Sequence, residues 1–502
     1  TLAKGASTSS TFWKLGGMMN VGDEGGQDVT LSHSGSAGKL DYSATVESKR
    51  AFRIQNRNED ISYGDSDVIA RKMSGRIPNR KDIHKLSANL SYSFEGGALL
   101  RLNALYNPQK QDDLETRTHS YLDESFGPSI TVVDDTLGAD DNRKLSEEWS
   151  NYTDPQKIEI GGDYSRSLGS IGSLKTLFVF NKEKADINKT FRKGEGSSEF
   201  LYKQQDSVLD KSEMILRSSV SRSIAQGQSL EIGGEAALNK FNRSFMNSTR
   251  SAIAEDLLIK NNDDVKIQEN RYEVFLNHSY TISPQISLSS SLTTEFSKIA
   301  ADNLFADGSI VHEEAKFTFF KPRMNFRYDI NAQDQIRLTV ERVVSQLDFN
   351  NFATSYNALT EKIDFGNTSI KPMRSWDFSG TFEHRFSNDS GSVSLEIFYK
   401  KYTDYIDKVD FTNYMNASGE LISADQYFAL PIIQQTLLKD DFTSKSGNVP
   451  SATSYGFKFK SSYRLGLIGL KDAVFSFNYD YEKSKLDNPF KDEEIQFSFT
   501  PT

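Results

Sequence analysis

Hydrophobic and polar residues alternate along most of this chain with a period of two. Leu86, Ala88, Leu90, Tyr92 and Phe94 are separated by Ser87, Asn89, Ser91 and Ser93. Leu230, Ile232, Gly234, Ala236 and Leu238 alternate with Glu231, Gly233, Glu235, Ala237 and Asn239. The stretches 272–280 and 286–296 repeat the pattern. A strand presents successive side chains to opposite faces, so such alternation predicts strands with two unlike faces. About 17 or 18 segments fit this template. Each is roughly 8 to 12 residues long, the length a tilted strand needs to cross a hydrocarbon layer.

The connections between these segments also alternate. Short ones fall at Glu95–Ala98, Ser167–Ser173, Ala225–Gln228, Ser283–Gln285, Asn331–Asp334, Ser387–Gly391 and Gly466–Asp472. Long ones lie near 51–82, 107–155, 183–210, 241–270, 298–315, 344–375, 403–453 and 485–494. A soluble sandwich has no reason to keep this asymmetry, whereas a membrane barrel has tight turns at one end and long loops at the other. Loops of this length without structure are otherwise rare in a compact domain. No self-similar period of a solenoid or propeller is present, and no composition shift marks a second domain.

The fold class is therefore all-β, a transmembrane antiparallel up-and-down β-barrel. Its aliphatic and aromatic set faces lipid, and its Ser, Asn, Thr and Glu set lines the lumen. Closing the sheet pairs every backbone N–H and C=O, which an open sheet in hydrocarbon cannot do. A soluble fold with this many strands would need a second layer, and no helical stretch supplies one. Tyr92 with Phe94, Phe178 with Phe180, Phe398, Tyr399 and Tyr402, and Tyr479 with Tyr481 cluster near strand ends. They would form aromatic girdles at the two interfaces. Ordinary β-propensity explains any one cluster equally well.

Composition narrows the picture. The 34 Phe and 21 Tyr suit half-buried pleated surfaces. A net charge of −10 argues against nucleic acid as a partner, since that would need a basic face. The absence of cysteine removes disulfides, thiolate metal sites and thiol nucleophiles. No apolar run reaches the length of a membrane-spanning helix, and no apolar stretch follows Thr1–Gly5 as in a signal peptide. A mean hydropathy of −0.55 is usual for soluble proteins but equally suits a barrel whose lumen and loops are polar.

Chemistry is sparse. His33, His84, His119, His278, His312 and His384 fall in no metal-binding spacing, and His278 reads as a sheet or girdle residue. No nucleophile elbow, P-loop or dinucleotide fingerprint occurs. Glu231 and Glu235 share a strand face, which reads as hydrated lumen rather than an acid–base pair. Asp112, Asp113, Asp123, Glu124, Asp134, Asp135, Asp140 and Asp141 crowd one long loop. They read as solvated surface, with a divalent-cation site or a mouth for a cationic ligand as the sharper alternative; calcium needs six to eight converging oxygens, and no EF-hand spacing is present. No catalytic residue, cofactor or metal is expected, and the chain is not expected to be an enzyme.

Three stretches carry a family resemblance. Lys321-Pro322-Arg323-Met324-Asn325-Phe326-Arg327-Tyr328-Asp329 leads to Gln335–Arg342, with Arg337 and Arg342, and then to Asp348-Phe349. Gly366-Asn367-Thr368-Ser369-Ile370-Lys371-Pro372-Met373-Arg374-Ser375-Trp376 leads to the hairpin 378–402 and to Asp404-Tyr405-Ile406-Asp407. Gly447-Asn448 and Ser454-Tyr455-Gly456-Phe457 are followed by Val474–Lys483 and Asp487-Asn488-Pro489-Phe490. These stretches resemble the TonB-dependent receptors, whose second motif reads roughly G-N-P-x-L-K-P-E-x-S-W. Thr368 and Met373 depart from it where relatives carry Pro and Glu. The motif residues Tyr328, Arg337, Arg342, Asn367, Lys371, Pro372 and Trp376 are read as structural; Pro372 keeps Lys371 extended. No ligand contact is assigned.

The resemblance implies a 22-stranded barrel filled by an N-terminal plug domain whose TonB box couples to an inner-membrane energy complex. Residues 1–10 would be a plug or linker remnant, and 11–502 the barrel, truncated before its C-terminal strands. It further implies a monomer in the bacterial outer membrane that contacts lipid and imports a large scarce nutrient, an iron–siderophore, a glycan or a peptide. A passive or adhesin-like barrel and a soluble all-β binding protein are the alternatives.

Overall fold

The alternating segments are strands, and they are longer than the hydropathy pattern implies. The computed structural model describes residues 8–19, 25–62, 69–121, 144–194, 200–250, 254–304, 308–353, 355–357, 362–364, 366–387, 390–416, 418–430, 444–470, 473–487 and 494–497. The first strands are β1 (Thr8–Met19), β2 (Gly25–Ala37), β3 (Leu40–Ser62), β4 (Ile69–Ser93), β5 (Leu99–Tyr121) and β6 (Lys144–Ser167). Then come β7 (Ser173–Gly194), β8 (Phe200–Ala225), β9 (Gln228–Thr249), β10 (Leu258–Thr281), β11 (Ile286–Leu304), β12 (Ile310–Asp329) and β13 (Asp334–Val344). A small hairpin, β14 (Ser355–Asn357) and β15 (Lys362–Asp364), stands apart from the main sheet. The chain returns to the wall with β16 (Arg374–Arg385), β17 (Gly391–Asp410), β18 (Ser444–Arg464), β19 (Val474–Asp487) and β20 (Glu494–Ile495).

Sequential neighbours pair antiparallel throughout, giving one 18-stranded sheet of barrel type. Among the described residues β1 pairs only with β2, and β20 only with β19. Thr8 already faces Ser36, so residues 8–10 belong to the first strand, while residues 1–7 lie outside the described set. All seven expected short connections join consecutive strands, and an eighth lies at Gly38-Lys39. Gly38 turns there at φ 65°, a conformation that glycine adopts without strain.

Most of the expected long loops are not loops. Residues 51–61 pair with 71–81, and 183–191 pair with 203–211. Strands β3 to β12 run 19 to 26 residues, not 8 to 12. The reason is physical. Hydropathy alternates only where one face meets an apolar medium, but backbone pairing continues wherever two strands run side by side. The outer faces of these distal halves are polar, so the alternation that marks the apolar band stops there although the pairing goes on. Asp112 and Asp113 lie in β5; the other six acids of that cluster fall outside the described residues.

Even-numbered positions of β3 to β13 face outward. Val46, Leu86, Leu102, Ile160, Leu216, Ile232, Val274, Leu292, Phe320 and Leu338 form an exposed apolar band around the wall. Aromatics bound it. At the turn end Tyr92 meets Phe94 at 4.8 Å, and Phe386 meets Tyr463 at 5.4 Å. At the other end Trp376 stacks on Phe378, and Phe378 touches Tyr399. From Trp376 to Phe386 is ten residue steps, roughly 33 Å along the strand and about 25 Å of height at the usual tilt. Two expected girdle residues are misplaced: Phe398 is buried on the inner face, between the ammonium groups of Lys400 and Lys458, and Tyr402, on the same parity, packs against the buried Val449, Ala452 and Leu486. Phe398 adjoins Tyr399, and adjacent strand residues cannot share a face.

Candidate functional site

The inner face of β8 to β12 carries a row of charges at mid-height. Glu235, Glu273 and Glu295 lie directly opposite one another on three adjacent strands. Like charges in that register repel, so the row stands only with cations between them. Lys321 Nζ donates to both Glu273 and Glu295 at 2.7 Å. Arg271 lies 3.6 Å from Glu235 and 3.9 Å from Glu273. Arg217 lies 3.4 Å from Glu235, and its guanidinium covers the Phe275 ring at 4.1 Å. Three carboxylates and three cations thus form one neutral network, with Arg271 and Glu295 nearly buried. Glu231 accepts from Asn277 at 2.9 Å on the same face.

Further toward the long-strand end the inner face turns apolar. Phe241, Val265, Ile267, Ile299 and Ala301 point inward there, and the connection after β13 folds in to cover them. That connection, 345–373, is closed at its base by Ser345 N donating to Met373 O. Asp348 caps a 3-10 turn at Phe349–Phe352 by accepting from Asn350 N. Phe352, Ala353 and Ile370 join the apolar cluster, and Phe349 packs on Phe241. Gly366 passes so close to this turn that a Cβ would sit 2.2 Å from the Phe352 carbonyl oxygen.

Polar ties fix the other side of the segment. Asn367 Nδ2 donates to Ser446 O at 2.8 Å, and its Oδ1 accepts from Ser369 N. Ser369 Oγ donates to the Glu313 carboxylate of β12. Asn448 of β18 accepts from Lys371 N at 2.8 Å and donates to Lys371 O and Asp404 O, each at 2.9 Å. Asp404 itself takes a left-handed backbone, φ 56°, and its carboxylate receives Arg374. Two cavities flank the segment. One of ≈ 390 Å³ is lined by Ile299, Phe317, Phe352, Ser369, Ile370 and Lys371. The other, ≈ 320 Å³, is lined by Lys211, Glu213, Asn239, Glu269, Gln346 and Leu347 among others.

The connection after β17 builds a smaller lobe. A short helix, α1 (Ala424–Phe428), starts at a Ser423–Gln426 capping box. Tyr427 is fully buried against Tyr414, whose hydroxyl donates to Asp410 at 2.6 Å. Burial, and then the Asp410 carboxylate, holds the Tyr414 phenol above the ordinary tyrosine range.

The motif residues do not converge on one site. Asn367, Lys371 and Pro372 meet in the folded-in segment. Trp376 is half-exposed on the outer rim, with Arg342 6.0 Å over its ring. Tyr328 lies on the outer face at the turn end, and near it Arg337 bridges Gln335 and Glu383. His278 sits in β10 with Nε2 3.2 Å from Gln228. Sequence reading picked out Glu235 as lumen-facing but missed its partners in the charged row, and it missed the apolar cluster. The cluster has a legible signal: Ala237, Phe241 and Phe245 stand on the polar parity of Glu231 and Glu235. Among the described residues no group of His, Asp and Glu is arranged to hold a metal.

Comparison with known proteins adds the following. A family model described as TonB dependent receptor-like, beta-barrel, matches residues 13–502. No curated protein matches the sequence. In the solved structures the fold is similar to the copper transporter OprC, with a TM-score of 0.59 and 11% identity. That match covers 96% of this chain and 62% of the other. The siderophore receptor PiuA from Acinetobacter baumannii also gives a TM-score of 0.59 at 11% identity, over 99% of this chain and 67% of its own. The ferric-catecholate import receptor Fiu from K12 E. coli gives 0.53 at 8% identity, over 97% and 65%. The chain thus spans about two thirds of the length of these structures.

Proposed function

Because the chain belongs to the TonB-dependent receptor-like β-barrel family, we propose that it is the barrel of an outer-membrane receptor that imports a large scarce nutrient. In this reading the wall begins with β1 at Thr8, and the residues before it lead in from a plug domain that couples to the TonB complex. The cargo is an iron–siderophore, a glycan or a peptide, captured by one monomer. The observation that carries the reading is the inner wall. Its mid-height is a dense network of ion pairs (Glu235, Arg271, Glu273, Glu295, Lys321), a polar lining suited to a removable polar filling. Its mouth is narrowed by the docked 345–373 segment. Neighbours of this fold are named as a siderophore receptor, a ferric-catecholate import receptor and a copper transporter, which supports a scarce nutrient as cargo.

The test is uptake by the full-length gene product in a Gram-negative host with and without TonB. Each candidate cargo class is supplied as the sole source of the nutrient it carries. Saturable uptake that disappears without TonB is expected for one class. Unsaturable uptake that survives TonB loss would make the chain a passive pore instead.

A further inference from the structure

The outer face of β7 to β12 changes character over a few residues. Read across the six strands in register, one row is Phe178, Leu216, Ala236, Tyr272, Phe296 and Thr318. The next three rows, toward the long-strand end, hold six exposed lysines, Lys182, Lys184, Lys240, Lys266, Lys298 and Lys316, against three carboxylates, Asp210, Asp302 and Glu314. Each row is two residues, roughly 7 Å along a strand and about 5 Å of height at barrel tilt. All six ammonium groups therefore leave the wall within about 15 Å of the apolar rim, the depth of a lipid headgroup layer and its surface.

The opposite rim of the same strands is different. Its outward residues include Leu174, Val220, Arg222, Leu230, His278, Leu288 and Tyr328, and Arg222 is the one permanent cation among these. General solvation would not load lysine onto one rim alone. Internal pairing absorbs only part of the charge. Lys182 lies 3.6 Å from Asp210, while Lys298 and Lys316 share Glu314 at 2.7 and 3.2 Å. Lys184, Lys240 and Lys266 form no ion pair with a described residue.

We propose that this patch binds the phosphate groups of phosphorylated glycolipid in the outer leaflet of the surrounding membrane. Lipid tails against Phe178, Leu216, Tyr272 and Phe296 place the attached headgroups at the lysine rows, and lysine stems lie along apolar surface while their ammonium groups reach anions. An acidic protein has no comparable reason to meet the wall at the hydrocarbon rim. The inference rests on the outer-membrane reading above, but its test is separate from transport.

The experiment places the full-length protein in lipid nanodiscs doped with phosphorylated lipid A or with the same lipid dephosphorylated. Bound glycolipid is counted by native mass spectrometry. Wild type should retain at least threefold more of the phosphorylated form. The triple variant Lys184→Gln, Lys240→Gln, Lys266→Gln should lose that preference, and the Arg replacements at the same positions should keep it. Equal retention of the two lipids by wild type overturns the proposal without reference to any variant. So does an unchanged preference in a triple variant that keeps its heat-shifted, folded mobility. Failure of the transporter reading would instead appear as TonB-independent uptake with lipid retention intact.

Discussion

At the scale of single residues, consequences follow where a group has no room or no substitute. Gly366 is such a place. Adding a methyl would drive it into the Phe352 carbonyl, and backbone cannot swing aside as a side-chain tip can. Gly366→Ala should cost about 1–3 kcal/mol, in the range for overpacking, read as a lower midpoint of urea unfolding in bilayers. Lys321 has a different role, since its ammonium group makes the closest contacts to the facing Glu273 and Glu295. Lys321→Met keeps the stem but leaves Glu273 and Glu295 opposed, and should cost about 2–4 kcal/mol, close to the value for a broken buried pair. The double variant Lys321→Met, Glu295→Gln should recover part of the loss, which a purely steric effect would not. Tyr414 offers a pH readout. Its phenol is raised, so the fold favours the protonated form. That contribution is complete below the ordinary tyrosine pKa near 10, and fades as pH climbs through the higher folded value. Tyr414→Phe should therefore remove tyrosinate absorbance only from the alkaline tail of an ultraviolet titration.

At the scale of elements, the sequence showed clearly what lipid dictates and showed poorly what water permits. Strand existence, facing and the short turns were readable because the apolar band forces alternation, as at Leu86 to Phe94 and Leu230 to Leu238. The distal hairpins were not, because Arg50 opposite Asp82 continues the same ladder as Thr45 opposite Ser87 yet leaves no hydropathic period. The folded-in segment was half readable. Its motif residues Asn367, Lys371 and Pro372 stood out, but the partner Asn448 lies 77 positions away from Lys371, and periodicity carries no information at that range. The same distance makes the element testable. Asn448→Ala removes three hydrogen bonds holding 345–373 and Asp404 to β18. If each contributes a modest net amount, amide exchange within 366–373 should rise by about tenfold, while exchange in β9 and β10 stays unchanged. Uniform acceleration across the sheet would mean that the segment is coupled to the whole wall rather than tied at one edge.

At the scale of the whole molecule, one question decides among the readings: what covers the outer face. A soluble barrel and a membrane barrel share strand order, register and alternation, and differ in the cost of placing a charge on the exposed apolar band. Leu338 tests this because it is 48% exposed, faces outward, and pairs with Phe326 and Gly380 near mid-band. In water, replacing such a surface residue should change stability by no more than about 0.5 kcal/mol. In hydrocarbon, Leu338→Arg should cost about 2–4 kcal/mol. Gln268 provides the matched control: it faces outward on the lysine side of the rim, opposite Lys240, where the aromatic row has already been passed. Gln268→Arg should cost about 0–1 kcal/mol, the interfacial value. Equilibrium unfolding of the full-length protein in bilayers, read by tryptophan emission, separates the cases. A gap of about 2 kcal/mol or more between the two variants requires lipid around the band. Equal and small effects would mean that water covers it, and the apolar ring from Val46 to Leu338 would then need a protein partner to account for it.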